Sequence, residues 1–187
     1  MKAAHKKFSR RARVATGGAV LAAVALAGFG TVSANASAPV KAEAVGAAAP
    51  ARTTTTSTHL TIDAAAKAAQ AALDAAEKEN QRVTVAVVDR NGNTVVTLRG
   101  DGAGPQSYES AERKAYTAVS WNAPTSKLAE RLEQAPQLKD IPGTLFLAGG
   151  VPVTAQNAPV AGIGVAGAPS GAQDEKYAQA GADALTR

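Results

Sequence analysis

Glu109, Arg113 and Thr117 recur at four-residue spacing, which on a helix sets a carboxylate, a guanidinium and a hydroxyl on one face. Tyr108, Glu112 and Tyr116 form a neighbouring row. Next to the glycine-rich stretch Gly100, Gly102, Gly104 and Pro105, such a face can line a polar pocket. The same residues equally suit an ordinary surface ion pair, Glu109 with Arg113, worth about 0.3–0.5 kcal/mol. Asp74 and Glu77, at i and i+3 of an alanine-dense segment, offer hard oxygen donors to one cation, ferric iron included, or stand simply solvated. His59, just ahead of that segment, suits a ligand role and a solvent-facing one alike. Gly162-Ile163-Gly164-Val165-Ala166-Gly167 spells G-x-G-x-x-G before a helix. A dinucleotide fold would add a parallel strand with an acidic residue about twenty positions on, and only one helix follows here. Val160, Ile163 and Val165 therefore read as strand core, with the glycines admitting close backbone approach.

The residue inventory excludes other chemistries. There is no cysteine in the 187 residues, so disulfides, thiolate metal sites, Fe–S clusters and cysteine nucleophiles drop out together. Histidine is confined to His5 and His59, too few for a His-rich zinc site, and any Ser-His-Asp triad in the domain would have to use His59. The net charge of +5 is misleading: Lys2, Lys6, Lys7, Arg10, Arg11 and Arg13 crowd the start, and beyond residue 36 there are 14 basic and 15 acidic side chains. Without that leader the chain carries no basic footprint for nucleic acid.

These residues sit on an α+β pattern. Thr61-Ile62-Asp63 reads as an N-cap with an acidic first turn, opening a helix to Asn80 whose inner face is Ile62, Ala65, Ala69, Ala72, Leu73 and Ala76. Val83–Asp89 is a buried strand, Arg90-Asn91-Gly92-Asn93 a hairpin turn, and Thr94–Arg99 the returning strand. Helices follow at Ser107–Asn122 and Ser126–Gln134, with Pro124 between them. Thr144–Ala148 and Val151–Thr154 flank Gly149-Gly150 as a second hairpin, Gln156-Asn157-Ala158 turns into the next strand, Pro159–Val165, and Gly171–Leu185 is the last helix. Hairpins rather than helical crossovers between most strands predict an antiparallel sheet with helices packed on it.

Residues 1–36 have the build of a secretory signal peptide: a basic start, an apolar stretch from Val14 to Val32, and the small-x-small pattern Ala34-Asn35-Ala36. Ser9-Arg10-Arg11 and the Ala/Gly-rich composition suit the twin-arginine route, whereas a membrane anchor is the competing reading of the 19 apolar-stretch positions. Residues 37–59, rich in Ala, Pro, Thr and Ser, form an arm without the apolar side chains to build a core. The domain occupies 60–187.

From Leu60 onward the chain resembles the GlcG/HbpS family. The resemblance rests on Val85-Ala86-Val87-Val88-Asp89-Arg90-Asn91-Gly92, on the run Ser110 to Ala118, on Leu147-Ala148-Gly149-Gly150-Val151-Pro152, on Gly162 to Gly171, and on Asp174-Glu175. The leader and the Ala/Thr-rich arm narrow it to the extracellular haem-binding branch in actinobacteria. The resemblance implies a profilin-like, five-stranded antiparallel sheet flanked by helices, in a homo-oligomer that is an octamer in that branch. It further implies a secreted, cell-wall-associated protein that binds haem and surface iron. Its partner would be the membrane sensor histidine kinase of a two-component system reporting redox stress. No catalytic residue and no nucleic-acid partner are implied. Intracellular relatives supply the competing function, an accessory enzyme or carrier of glycolate- or corrinoid-type metabolism. Haem in the exported branch resembles an oxygen-ligated group, which makes Thr117, then Tyr108 and Tyr116, the axial candidates, with Arg113 and Lys114 near the propionates. His59 is the rival ligand. Asp74 and Glu77 resemble the acidic D-x-x-E pair of the family's iron site.

Overall fold

The structure, a computed structural model, describes residues 49–186. The expected signal peptide and residues 37–48 of the arm lie outside the described residues. Residues 49–59 are exposed and carry a single 3-10 turn, Ala51–Thr53.

Helix α1 spans Ile62–Glu77, and its Thr61 cap accepts a hydrogen bond from the Ala64 N–H at 3.2 Å. Alanine favours the helix through its low entropic cost, and Ala65, Ala68, Ala69, Ala72, Leu73 and Ala76 form the buried face. Ile62, expected on that face, is the first helical residue and is 58% exposed. The helix stops three residues short of Asn80, which adopts a left-handed φ of 57° and ends the run.

Strands β1 (Thr84–Asp89), β2 (Thr94–Arg99), β3 (Gly150–Ala155) and β4 (Ala158–Ala166) make one antiparallel sheet in the order β2-β1-β4-β3. The central strands are covered on both faces, which explains why β1 is an unbroken apolar run apart from Thr84 and Asp89. Val85 and Val87 turn towards α1 and α4 (Gly171–Asp183), whereas Ala86 and Val88 turn towards α2 (Gln106–Trp121). The result is three layers, helices–sheet–helix. Gly162 and Gly164 permit the α2 contact: a Cβ at either would collide with the carbonyl oxygen of Ala115 or Ala111. The G-x-G-x-x-G run is thus strand β4 in an antiparallel sheet, built for helix packing.

Two expectations need correcting. The described residues hold four strands, not five: Thr144–Ala148 is irregular, and Gly149-Gly150 is no hairpin turn, Gly150 being the first residue of β3. Side chains take the backbone donors of this stretch. Thr117 Oγ1 accepts from Leu145 N at 2.7 Å, Glu175 Oε2 from Gly149 N at 3.3 Å, and Thr125 Oγ1 from Gly150 N at 2.8 Å. The true second hairpin is β3–β4, turned by Gln156 and Asn157 at φ 51° and 63°. The expected helix Ser126–Gln134 is a shorter α3, Thr125–Glu130, running into a 3-10 turn at Arg131–Glu133, and a further one follows at Pro136–Asp140. No helix among the described residues is long and apolar enough to cross a membrane.

Candidate functional site

The outer face of α2 meets the β1–β2 turn in a groove of about 190 Å³ lined by Val88, Gly92, Thr94, Glu112, Arg113, Tyr116 and Gly143. Two left-handed glycines shape it. Gly92 (φ 88°) and Gly143 (φ 79°) both lie against the Tyr116 ring, and a Cβ on Gly92 would come within 2.8 Å of that ring. Asp89 holds the turn in place by accepting the N–H of Asn91 and of Asn93 through Oδ1, at 2.8 and 2.9 Å. Burial alone would raise the Asp89 carboxyl, but the donors of Asn93 and Asn91 outweigh it and hold the group below its ordinary value. On the helix side, Arg113 donates from Nη2 to Thr144 O at 2.7 Å and lies 3.5 Å from Glu109. Glu112 accepts from Thr97 Oγ1 at 3.2 Å.

Arg113 and Tyr116 therefore share the groove, and the other expected ligands are elsewhere. Thr117 is fully buried, and its hydroxyl is engaged twice, donating to Arg113 O and accepting from Leu145 N, both at 2.7 Å. Tyr108 is 47% exposed two turns back along α2, about 12 Å away along the axis. Trp121 packs edge-on to Phe146, with ring centroids 5.2 Å apart. Lys114 points to the opposite side of α2 and is buried. Consecutive helical residues diverge by about 100°, so the cation beside the groove is Arg113.

The metal candidates do not converge. Asp74 and Glu77 are exposed on α1, with Asp74 accepting from Gln70 Nε2 at 2.7 Å. His59 lies at the β1–β2 turn, its Nδ1 3.9 Å from Asp89 Oδ2 and its Nε2 2.6 Å from Ser57 Oγ. Among the described residues no three His, Asp or Glu side chains gather at metal-binding distance.

Sequence reasoning missed what Asp174 and Glu175 do. Asp174 Oδ2 meets Lys114 Nζ at 2.7 Å, and its Oδ1 accepts from Ala168 N at 3.0 Å. Burial pushes the Asp174 carboxyl up against the opposing pull of the ammonium. Glu175 clasps α3 through Ser126 N at 3.0 Å and Ser126 Oγ at 2.5 Å. An acidic pair in the first turn after Ser170 was legible as helix-start chemistry, but not which carboxylate turns inward.

A family model described as "Haem degrading protein HbpS-like" matches residues 60–183. A double mutant of Streptomyces reticuli HbpS, with two glutamates changed to aspartate, is 74% identical, with a TM-score of 0.74 over 75% of this chain and 96% of that one. A second HbpS crystal structure is 77% identical, with a TM-score of 0.73 over 73% of this chain and 97% of the other. A crystal structure of a PduOC–haem complex is 26% identical, with a TM-score of 0.63 over 68% of this chain and 95% of that one.

Proposed function

The chain belongs to the HbpS-like family, and from that premise we propose that it is an exported, oligomeric haem-binding protein that reports to a membrane sensor kinase. The observation that carries the haem reading is the groove that Tyr116 and Arg113 both line. A ferric porphyrin calls for an oxygen donor, a cation for its propionates and apolar contact. Tyr116, Arg113 and Val88 offer one of each. Thr117 is buried with its hydroxyl engaged by Arg113 O and Leu145 N, whereas Tyr116 lines the groove. At about 190 Å³ the groove is smaller than pockets that enclose a drug-sized ligand, so one copy holds only an edge of the macrocycle. A second copy completing the site agrees with the proposed homo-oligomer, an octamer. Haem bound in this way supplies redox chemistry at an open, exchangeable site; the chain's own residues hold and orient it. Asp74 and Glu77 are proposed as a weak surface iron site.

Hemin titration tests the reading. The protein should give a saturable Soret band, weakened at least tenfold by Tyr116→Phe and by Arg113→Ala, with His59→Ala unchanged. Absence of a saturable band overturns haem binding, and a loss confined to His59→Ala moves the ligand to the arm. The family description favours a second reading, haem degradation. It requires the Soret band of bound haem to decay when reductant and oxygen are supplied, with tetrapyrrole products released. A stable band under those conditions removes it.

A further inference from the structure

A second cavity, of about 280 Å³, opens between the first turns of α2 and α4, on the opposite side of α2 from the tyrosine groove. Its floor is charged. Lys114 and Asp174 line it, and they are only 2% and 4% exposed. An ammonium has three N–H donors, of which two are spent here, on Asp174 Oδ2 at 2.7 Å and on Val165 O at 3.1 Å. The third remains for a guest. The cavity wall adds Ser110 from α2 and the backbone around Ser170 and Gly171 at the start of α4, while the Ser107 hydroxyl is spent on Thr84 Oγ1 and Gly104 O at 2.7 and 2.6 Å. Leu147, 53% exposed, provides an apolar rim.

The charges define the guest. Lys114 and Asp174 neutralise each other, which leaves the positive ends of two helices, each equivalent to about half an elementary charge. Together with the spare Lys114 donor this end of the cavity carries at most about one positive charge, so the site suits a monoanion. A dianion would bring its second charge against the Asp174 carboxylate. Two further carboxylates stand near these helix starts: Glu109 of α2 lies 3.5 Å from Arg113 on the groove side, and Glu175 of α4 accepts from Ser126 N and Gly149 N, and neither lines the cavity. A buried ion pair is by itself poor value for stability against apolar packing. Here it opens on a cavity with a donor to spare, an arrangement that packing alone does not require.

We propose that this cavity binds a small monocarboxylate, its oxygens taking the spare Lys114 N–H and the helix-start donors and its short hydrocarbon body lying against Leu147. This site is independent of the haem reading.

The test is a titration of the protein with sodium butyrate, followed by the amide resonances of Ala168, Gly171 and Asp174, with acetate, phosphate and chloride in parallel at matched ionic strength. Butyrate should give saturable shifts at these amides, acetate should bind several-fold more weakly for want of the Leu147 contact, and phosphate weaker still. Leu147→Asp alters the rim without touching the ion pair, Ser110→Asp sets a competing carboxylate four residues before Lys114, and each should weaken butyrate at least tenfold. Because Lys114→Met can unfold the protein, these two variants carry the test. Non-saturating shifts, shifts equal to those from chloride, or butyrate affinity unchanged in both variants would overturn the proposal.

Discussion

Lys114 Nζ and Asp174 Oδ2 lie 2.7 Å apart across 60 positions of sequence, and the pair joins α2 to α4 at the end of the sheet. The helices belong to opposite layers, so this bond ties the two faces directly. It also draws on the sheet, because the same ammonium donates to Val165 O in β4.

Removing one partner strands the other in a buried position. Lys114→Met is expected to cost about 3–5 kcal/mol, and pairing it with Asp174→Leu should recover much of the loss. Urea unfolding of the single and double variants measures both values. A single variant within 1 kcal/mol of the parent, on the scale of a surface pair, would show that the pair is effectively solvated.

Gly164→Ala is expected to be among the most disruptive single-methyl changes, since its Cβ would meet the Ala111 carbonyl and the Ala115 N–H rather than a movable side chain. Overpacking of this kind costs about 1–3 kcal/mol, and more where backbone must shift. Thermal denaturation of Gly164→Ala beside Gly104→Ala, whose neighbour is the flexible Gln106 side chain, checks it. Equal melting temperatures would contradict the flush packing of α2 on β4.

Much of this was legible in the chain. The cap at Thr61, the alanine face of α1, the Asn91-Gly92 turn and the strand reading of Gly162–Val165 rest on local spacing, and local spacing decides them. Thr144–Ala148 misled because its apolar alternation is that of a strand, but Leu145 N and the two glycine N–H groups that follow the stretch bond to Thr117, Glu175 and Thr125, all distant in sequence. The site shows the same division. Arg113 and Tyr116 could be placed on one helix, whereas the engagement of Thr117 and the turning inward of Lys114 depend on residues 28 and 60 positions away. No periodicity encodes them.

Thr117 gives a way to separate structure from ligation. Its hydroxyl satisfies the half-buried Leu145 N–H, so Thr117→Val should cost about 1 kcal/mol or more through that unpaired donor. If Tyr116 is the haem contact, the hemin spectrum of Thr117→Val stays parental at temperatures where the variant is folded. A lowered melting temperature with an unchanged Soret band is the expected result; an unchanged melting temperature with a lost band would restore Thr117 as the ligand.

Asp89 makes the acid limb of stability partly local. Its carboxylate organises the β1–β2 turn, and with a folded value held below the ordinary 3.8 its contribution is whole above that value and disappears as pH falls through the folded one. Asp174 runs the other way: its folded value is raised, so its ionisation weakens the fold as pH rises above the ordinary value and cannot account for acid loss. Asp89→Ala should therefore be less stable than the parent by about 1–3 kcal/mol at neutral pH, the worth of hydrogen bonds to a charged acceptor. The gap should narrow as pH falls below the ordinary 3.8 and through the folded value, where the carboxyl becomes uncharged. Urea midpoints of parent and variant along an acid series measure the gap directly. A difference that is constant with pH would show that the turn is held by the shape of the side chain and not by its charge.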